Sequence, residues 1–205
     1  MPSDELTLRI QRIYKAVDAV IETDMDKLKP KVVKDGKRIA VYQDFSGGRS
    51  NAEIENTAHI LIHNVANLKD HLKKWAKNNG KDKTRVDDAF NNSQVLRIIQ
   101  DLSDNDKHGY PPRDGGNFGK SPRVDKINTI MQMTTKPEKG SFIGLTLNHQ
   151  GAPKIIGDGN AKVIITGDIL DRDGNKMGDL HETLLKAIND WEKVLTEFGV
   201  NIPDS

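Results

Sequence analysis

The stretch SQVLRIIQDLSDNDKHGYPPRDGGNFGKSPR, residues 93–123, holds most of the unusual chemistry of this chain. It begins with the apolar spacing of an amphipathic helix, turns strongly polar at SDNDKH, and ends in a segment rich in proline and glycine. The predicted inner face of the helix consists of Val95, Ile98, Ile99 and Leu102. Gly109 suits the position after the last helical turn, and Pro111 and Pro112 prevent the helix from continuing.

Two further helices are predicted from apolar residues at alternating spacings of four and three. The first follows Ser50 and Glu53, which are spaced as a capping box. Its apolar residues are Ile54, Ala58, Leu61, Val65, Leu68, Leu72 and Trp75. Those of the second are Leu180, Leu184, Ile188, Trp191, Leu195 and Phe198. Because the spacing matches, we expect these two helices to pair in the core.

The N-terminal region predicts one more helix and a β-hairpin. The helix is expected to begin at Ser3, with an apolar face formed by Leu6, Ile10, Ile13, Val17 and Val20. Asp35 and Gly36 stand between KVVK and KRIAVY, which is the pattern of two strands joined by a tight turn.

The region after residue 123 has the composition of β-strands. Alternating runs predict strands within 124–135, 141–149 and 161–170. The turn-like connections KPEKG and HQGAP favour an antiparallel meander. The predicted fold class is therefore α+β, a helical bundle with an inserted antiparallel three-stranded sheet. We expect a single domain over 1–205, with the bundle in 1–110 and 177–199 and the β-rich insertion in 124–176.

The overall composition excludes some classes of site. Lys and Arg number 31 against 30 Asp and Glu, so no global field would steer the protein onto nucleic acid or an anionic membrane. The absence of cysteine excludes disulfides, thiol nucleophiles and cysteine-ligated zinc. No signal peptide or long apolar span is visible, which predicts a cytoplasmic protein with no membrane partner. No cofactor is predicted.

The segment GGNFGKS, residues 115–121, resembles a phosphate-binding loop. Asp114 stands where the nucleotide-binding pattern requires a glycine, and the flanking prolines do not suit the strand and helix that this pattern needs. Arg113, Lys120 and Arg123, together with the glycine amides, could instead hold a phosphate or a nucleic-acid backbone. The alternative is a loop draped over the surface.

The segment DRDGNKMGDLHE, residues 171–182, has the ligand spacing of a calcium-binding loop. Asp171, Asp173, Asn175 and Glu182 occupy four of the ligand positions, although Lys176 replaces the glycine of the sharp turn. The alternative is a hairpin turn followed by Asp179 as the cap of the last helix.

A polar stripe on the helix of residues 93–108 is a candidate catalytic site. Helical geometry places Arg97, Asp101, Asp104 and His108 on one side of this helix. The Asp101 carboxylate could fix the His108 imidazole for acid–base work while Arg97 holds a phosphate. The alternative is an ordinary solvent face.

Two other histidines, His59 and His63, point away from the apolar seam of their helix, towards solvent or a covering element.

The run DLSDNDKHGYPP, residues 101–112, resembles small uncharacterised bacterial proteins with an Asp-Leu…Asn-x-Lys-His helix end. More distantly it is similar to HEPN domains, helical bundles that include toxin and defence ribonucleases. The HEPN motif has an arginine four to six positions before a histidine, and both residues act in RNA cleavage. Only His108 matches this motif, because Ser103, Asp104 and Asn105 stand near the places where the arginine should be and Arg97 is too far upstream.

Two functional hypotheses follow. The first is a HEPN-like nucleic-acid-binding or RNA-processing protein of toxin or defence type, with RNA as its partner. The second is a non-catalytic protein-interaction module or homo-oligomer.

Overall fold

A computed structural model describes residues 6–11, 13, 30–35, 38–109, 114–147, 149 and 153–200. The helices are α1 (Asn51–Ala66), α2 (Leu68–Asn78), α3 (Thr84–Asn92), α4 (Gln94–His108) and α5 (Leu180–Glu197). The strands are β1 (Pro30–Asp35), β2 (Arg38–Gln43), β3 (Arg123–Thr134), β4 (Ile143–Leu147), β5 (Pro153–Gly157), β6 (Asn160–Leu170) and β7 (Lys176–Asp179). Residues 6–11 and 13 are also helical. The α+β class is therefore confirmed.

The first predicted helix is confirmed as far as the structure describes it, with Leu6, Ile10 and Ile13 buried. The predicted start at Ser3 and the positions Val17 and Val20 lie outside the described residues. The hairpin is confirmed, since β1 and β2 pair antiparallel with Asp35 opposite Arg38.

The capping box before α1 is also confirmed. The Ser50 backbone N–H donates to the Glu53 carboxylate at 2.8 Å, and the Glu53 backbone N–H donates back to the Ser50 hydroxyl at 3.3 Å. The single long helix expected from this point is interrupted at Asn67, so α1 and α2 follow one another directly. The short helix α3 was missed, because its polar sequence TRVDDAFNN presents only two buried apolar side chains.

Helix α4 begins and ends where the sequence indicates. The Ser93 hydroxyl accepts a hydrogen bond from the backbone N–H of Leu96 at 3.2 Å and so caps the N-terminus. Gly109 ends the helix in the left-handed conformation, with φ 70°. At the start of α5, the Asp179 carboxylate accepts from the backbone N–H of Glu182, which confirms the alternative interpretation of this aspartate as a cap.

The strands do not form the predicted meander. Strand β6 lies between β3 and β7 in a three-stranded antiparallel sheet, whereas β4 pairs with β5 in a separate antiparallel hairpin. The prediction was wrong because it missed β5. Strand β5 follows β4 directly in the chain and pairs with it in place of β6. Strand β5 begins with Pro153, and proline is tolerated at the first position of a strand.

The chain forms two compact units. The first takes in the described residues of Met1–Ala19, Glu55–Ile127 and Thr166–Ser205, and the second takes in those of Val20–Ile54 and Asn128–Ile165. The hairpin β1–β2 belongs to the second unit with residues 128–165. The two ends of the predicted insertion, 124–127 and 166–176, belong to the first unit with the helices. That the chain 1–205 behaves as a single domain stays a prediction.

Helix α5 packs closely against α4 and α3, two partners that the predicted pairing with the seam of α1 and α2 did not include. Its buried face is wider than one seam, because Ala187 and Val194 are buried as well as the residues at four-and-three spacing. A face of that width is covered by two neighbouring helices. The Trp75 ring still stacks on Phe198, with 5.8 Å between the ring centroids.

Candidate functional site

A buried carboxylate holds the loop that follows α4. The Asp101 side chain is fully buried, and it accepts hydrogen bonds from the backbone N–H groups of Asn117 and Phe118 at 2.7 and 2.8 Å and from the Asn117 side-chain amide at 2.6 Å. An ionised carboxylate is stable in the interior only when such donors replace water. Asp101 therefore anchors residues 114–121, the glycine loop.

The glycines of this loop are required by its shape. Gly115, Gly116 and Gly119 have positive φ, between 75° and 87°. A β-carbon on Gly116 would lie 2.5 Å from the carboxyl carbon of Asp101. The Ser121 backbone N–H closes the loop onto the Gly115 carbonyl at 2.8 Å, and Ser121 itself has the unusual φ of 48°. The loop is thus preformed, but β3 and not a helix follows it, which is unlike a nucleotide-binding loop.

The glycine loop presents an aromatic ring beside two cations. Phe118 is half-buried, with the Arg97 guanidinium carbon 5.7 Å and the Lys120 ammonium 5.9 Å from its ring centroid. Both distances lie within the range of cation–π contacts. An aromatic ring flanked by cations is the combination that stacks a nucleobase and attracts the adjoining phosphates.

The turn between β6 and β7 packs against this loop. The Arg172 backbone N–H donates to the Lys120 carbonyl at 2.9 Å, and the Arg172 guanidinium lies 3.4 Å from the Ser121 hydroxyl. The Arg123 guanidinium donates to the Asp171 carbonyl at 3.2 Å. Lys120, Arg123 and Arg172 are all exposed, so three cations from two segments meet at one surface. Asp114 and Asp173, also exposed, reduce the net charge there.

The segment with calcium-loop spacing, residues 171–182, forms a hairpin turn and the start of α5. The Asp171 carboxylate accepts from the backbone N–H groups of Asp173 and Asn175 at 2.9 and 2.8 Å, which is a hairpin-turn arrangement. The Asn175 hydrogen bonds, with a smaller contribution from Lys120, hold the pKa of Asp171 below its usual value. Glu182 lies in the first turn of α5, where it pairs with Lys186 at 3.4 Å. Among the described residues, no group of three or more acidic, histidine or cysteine side chains is arranged to hold a metal ion.

The proposed catalytic stripe is divided by the fold. Asp101 was expected on the exposed side of α4, yet it is fully buried because the glycine loop covers it, and both of its oxygens hold that loop. Arg97 lies beside Phe118, and His108 is exposed in the last turn of α4. Lys120 and Arg123 are both exposed, and each has a backbone or side-chain hydrogen bond to the turn of residues 171–175. Arg113 lies outside the described residues, and a role of these three residues in phosphate binding stays a prediction.

A second polar cluster joins α1 to α4. The His63 imidazole contacts the Ser103 hydroxyl through Nδ1 at 2.8 Å and the Asp106 carboxylate through Nε2 at 2.7 Å. The other Asp106 oxygen lies 3.1 Å from Nδ1 of His59, although the angle there is outside the hydrogen-bonding range. Ser103 is fully buried, so its hydroxyl is closed to substrates. Sequence reasoning placed both histidines away from the seam but missed α4 as the covering element.

Comparison with known protein families, with curated proteins and with solved structures finds no match for this chain. The geometry alone therefore defines an α+β protein with a preformed, cation-flanked glycine loop. Of the helices in the described part of the chain, none has both the length and the apolar character needed to cross a membrane.

Proposed function

We propose that this protein binds single-stranded nucleic acid, with RNA as the expected form, by stacking a base on Phe118 of the glycine loop. The observation that carries the proposal is the placement of Phe118 beside Arg97 and Lys120 on a loop anchored by Asp101. Stacking on an aromatic side chain contributes about 1–3 kcal/mol per base. Because the loop is preformed, little conformational entropy is lost when a base binds.

The charge distribution predicts modest, salt-dependent binding. The net charge of +1 excludes strong long-range attraction, so the affinity rests on the ring and the local cations. Dissociation constants of about 10⁻⁴–10⁻⁶ M are typical of such non-specific contacts at physiological salt.

The same proposal includes the RNA-processing, HEPN-like role and the cytoplasmic location expected from the sequence. His108 is the residue that the resemblance makes catalytic, and its exposure in the last turn of α4 leaves it accessible to a bound strand.

The test is the binding of a fluorescein-labelled single-stranded RNA oligonucleotide, measured by fluorescence anisotropy at low salt. Phe118→Ala is expected to weaken binding about tenfold or more, whereas Phe118→Tyr keeps a stacking ring and should bind nearly as the parent does. Phe142→Ala is the control, because Phe142 is an exposed phenylalanine that belongs to the second unit. Equal binding by the parent and Phe118→Ala, or no binding by the parent, would overturn the proposal.

An exposed apolar patch favours the alternative role as an interaction module or homo-oligomer. Leu145 and Leu147 are 44 and 51% exposed, and they share one face of β4. The apolar seams of the two helices predicted from four-and-three spacing are buried within the chain, apart from the half-buried Trp75, so the exposed leucines of β4 are the candidate surface. If the patch mediates assembly, Leu147→Lys should convert oligomer to monomer in sedimentation velocity. A parent protein that stays monomeric at high concentration would contradict self-association.

A further inference from the structure

The junction between the glycine loop and the turn of residues 171–175 is built from two segments distant in sequence. The Arg172 backbone fixes Lys120, and its guanidinium lies beside the buried Ser121, while the Arg123 guanidinium reaches back to the Asp171 carbonyl. Nη2 of Arg123 also lies 3.8 Å from the position that a β-carbon on Gly174 would take. Both guanidinium groups are therefore held at the same junction.

These two arginines retain the capacity to bind an anion. A guanidinium carries five N–H donors in a planar fork, so one contact to a protein oxygen leaves donors for a ligand. Both side chains are exposed. The Asp171 carboxylate of the turn already accepts hydrogen bonds from the backbone N–H groups of Asp173 and Asn175.

One residue at this junction, Ser121, has a strained backbone conformation that neighbouring hydrogen bonds hold in place. Ser121 has φ 48°, a conformation that side chains other than glycine adopt rarely and at a cost on the order of 1 kcal/mol. The strain is offset by the hydrogen bond from Ser121 to Gly115 and by the contact from Arg172. Strained residues of this kind concentrate at ligand-binding positions.

We propose that Arg123 and Arg172 form a phosphate subsite, which holds the backbone phosphate next to the base stacked on Phe118. The inference rests on the proposed function, and it assigns to Arg172 a role that no motif in the sequence indicates. The ligand class is thus a nucleic-acid strand recognised by one base and its adjoining phosphate, with Arg97 and Lys120 at the ring and the two arginines at the phosphate.

The experiment compares two probes, a short fluorescein-labelled single-stranded RNA and the same sequence with an uncharged methylphosphonate backbone. Arg172→Gln is expected to weaken binding of the charged probe about tenfold and to leave the uncharged probe nearly unaffected. The slope of log Kd against log salt should fall by about one, because one phosphate contact is lost. Arg49→Gln, which removes an exposed arginine of the second unit, is the matched control and should leave both affinities unchanged.

The outcomes separate this subsite from the proposed function. If Phe118→Ala weakens both probes while Arg172→Gln weakens neither, the subsite is wrong and the base-stacking function stands. If the parent binds neither probe, both fail. Arg172→Lys keeps the charge but not the fork, so it should retain most of the salt dependence. The subsite is overturned if Arg172→Lys and Arg172→Gln lose the same amount of salt dependence and both have a lowered melting temperature. That result would show that Arg172 has a purely structural role.

Discussion

The backbone N–H and the side-chain amide of Asn117 both donate to one carboxylate oxygen of Asp101, at 2.7 and 2.6 Å. The two residues are sixteen positions apart and lie on different elements, a helix and a loop. Because Asp101 is fully buried, this contact replaces the hydration that the carboxylate loses on folding. The position of Phe118, and with it the candidate nucleic-acid surface, depends on this pair.

Removal of the Asp101 carboxylate should release the glycine loop. Asp101→Ala leaves the backbone N–H groups of Asn117 and Phe118 without their acceptor, so the free energy of unfolding is expected to fall by about 2–4 kcal/mol. Urea denaturation measures this loss, and hydrogen exchange at the two amides should become fast. Asp104→Ala is the control, because Asp104 is half-buried on the same helix and accepts from Gln100 at 3.0 Å. Equal destabilisation by the two variants would contradict the anchoring role of Asp101.

The close approach of Gly116 to Asp101 predicts a difference between two glycines of the same loop. Gly116 and Gly119 both have positive φ, but a β-carbon would meet Asp101 at 2.5 Å from Gly116 and nothing within 4 Å from Gly119. Gly119→Ala should therefore cost only the conformational strain, about 1 kcal/mol. Gly116→Ala should cost at least about 1–3 kcal/mol more, because a buried carboxylate must move. Thermal unfolding of the two variants checks this order, and the reverse order would show that the loop does not pack on Asp101 as described.

The polar cluster between α1 and α4 is expected to stabilise the contact of these helices. Ser103→Ala removes the partner of Nδ1 of His63 inside the protein, which should cost about 1–2 kcal/mol of unfolding free energy. A double-mutant cycle with His63→Ala should give a coupling energy of about 0.5–1.5 kcal/mol, because the two side chains are in contact. Ser46→Ala is the control, because the Ser46 hydroxyl makes hydrogen bonds with residues two positions away in the loop before α1. Additive effects of Ser103→Ala and His63→Ala would refute the coupling.

Local signals predicted the elements that depend on neighbouring residues alone. The capping box of Ser50 and Glu53 and the left-handed Gly109 were readable because their partners lie within one helical turn. The same holds for the hairpin turn of Asp171 and Asn175, although its carboxylate pattern also suggested calcium. Strand partners were not readable, because alternation marks β4 and β6 as strands without saying which strand each one meets.

The sequence by itself determined the α+β class, the ends of α4 and the presence of a polar, glycine-rich loop after it. Only the tertiary structure decided what these polar residues do. Helical periodicity predicts that Asp101 is exposed, whereas Asp101 is fully buried. The periodicity describes a single helix and contains no information about a loop that folds back over that helix. The burial of Asp101, the presentation of Phe118 and the approach of Arg172 all follow from contacts between distant segments. For that reason the candidate site in residues 93–123 can be recognised in the folded chain but not from the spacing of the residues.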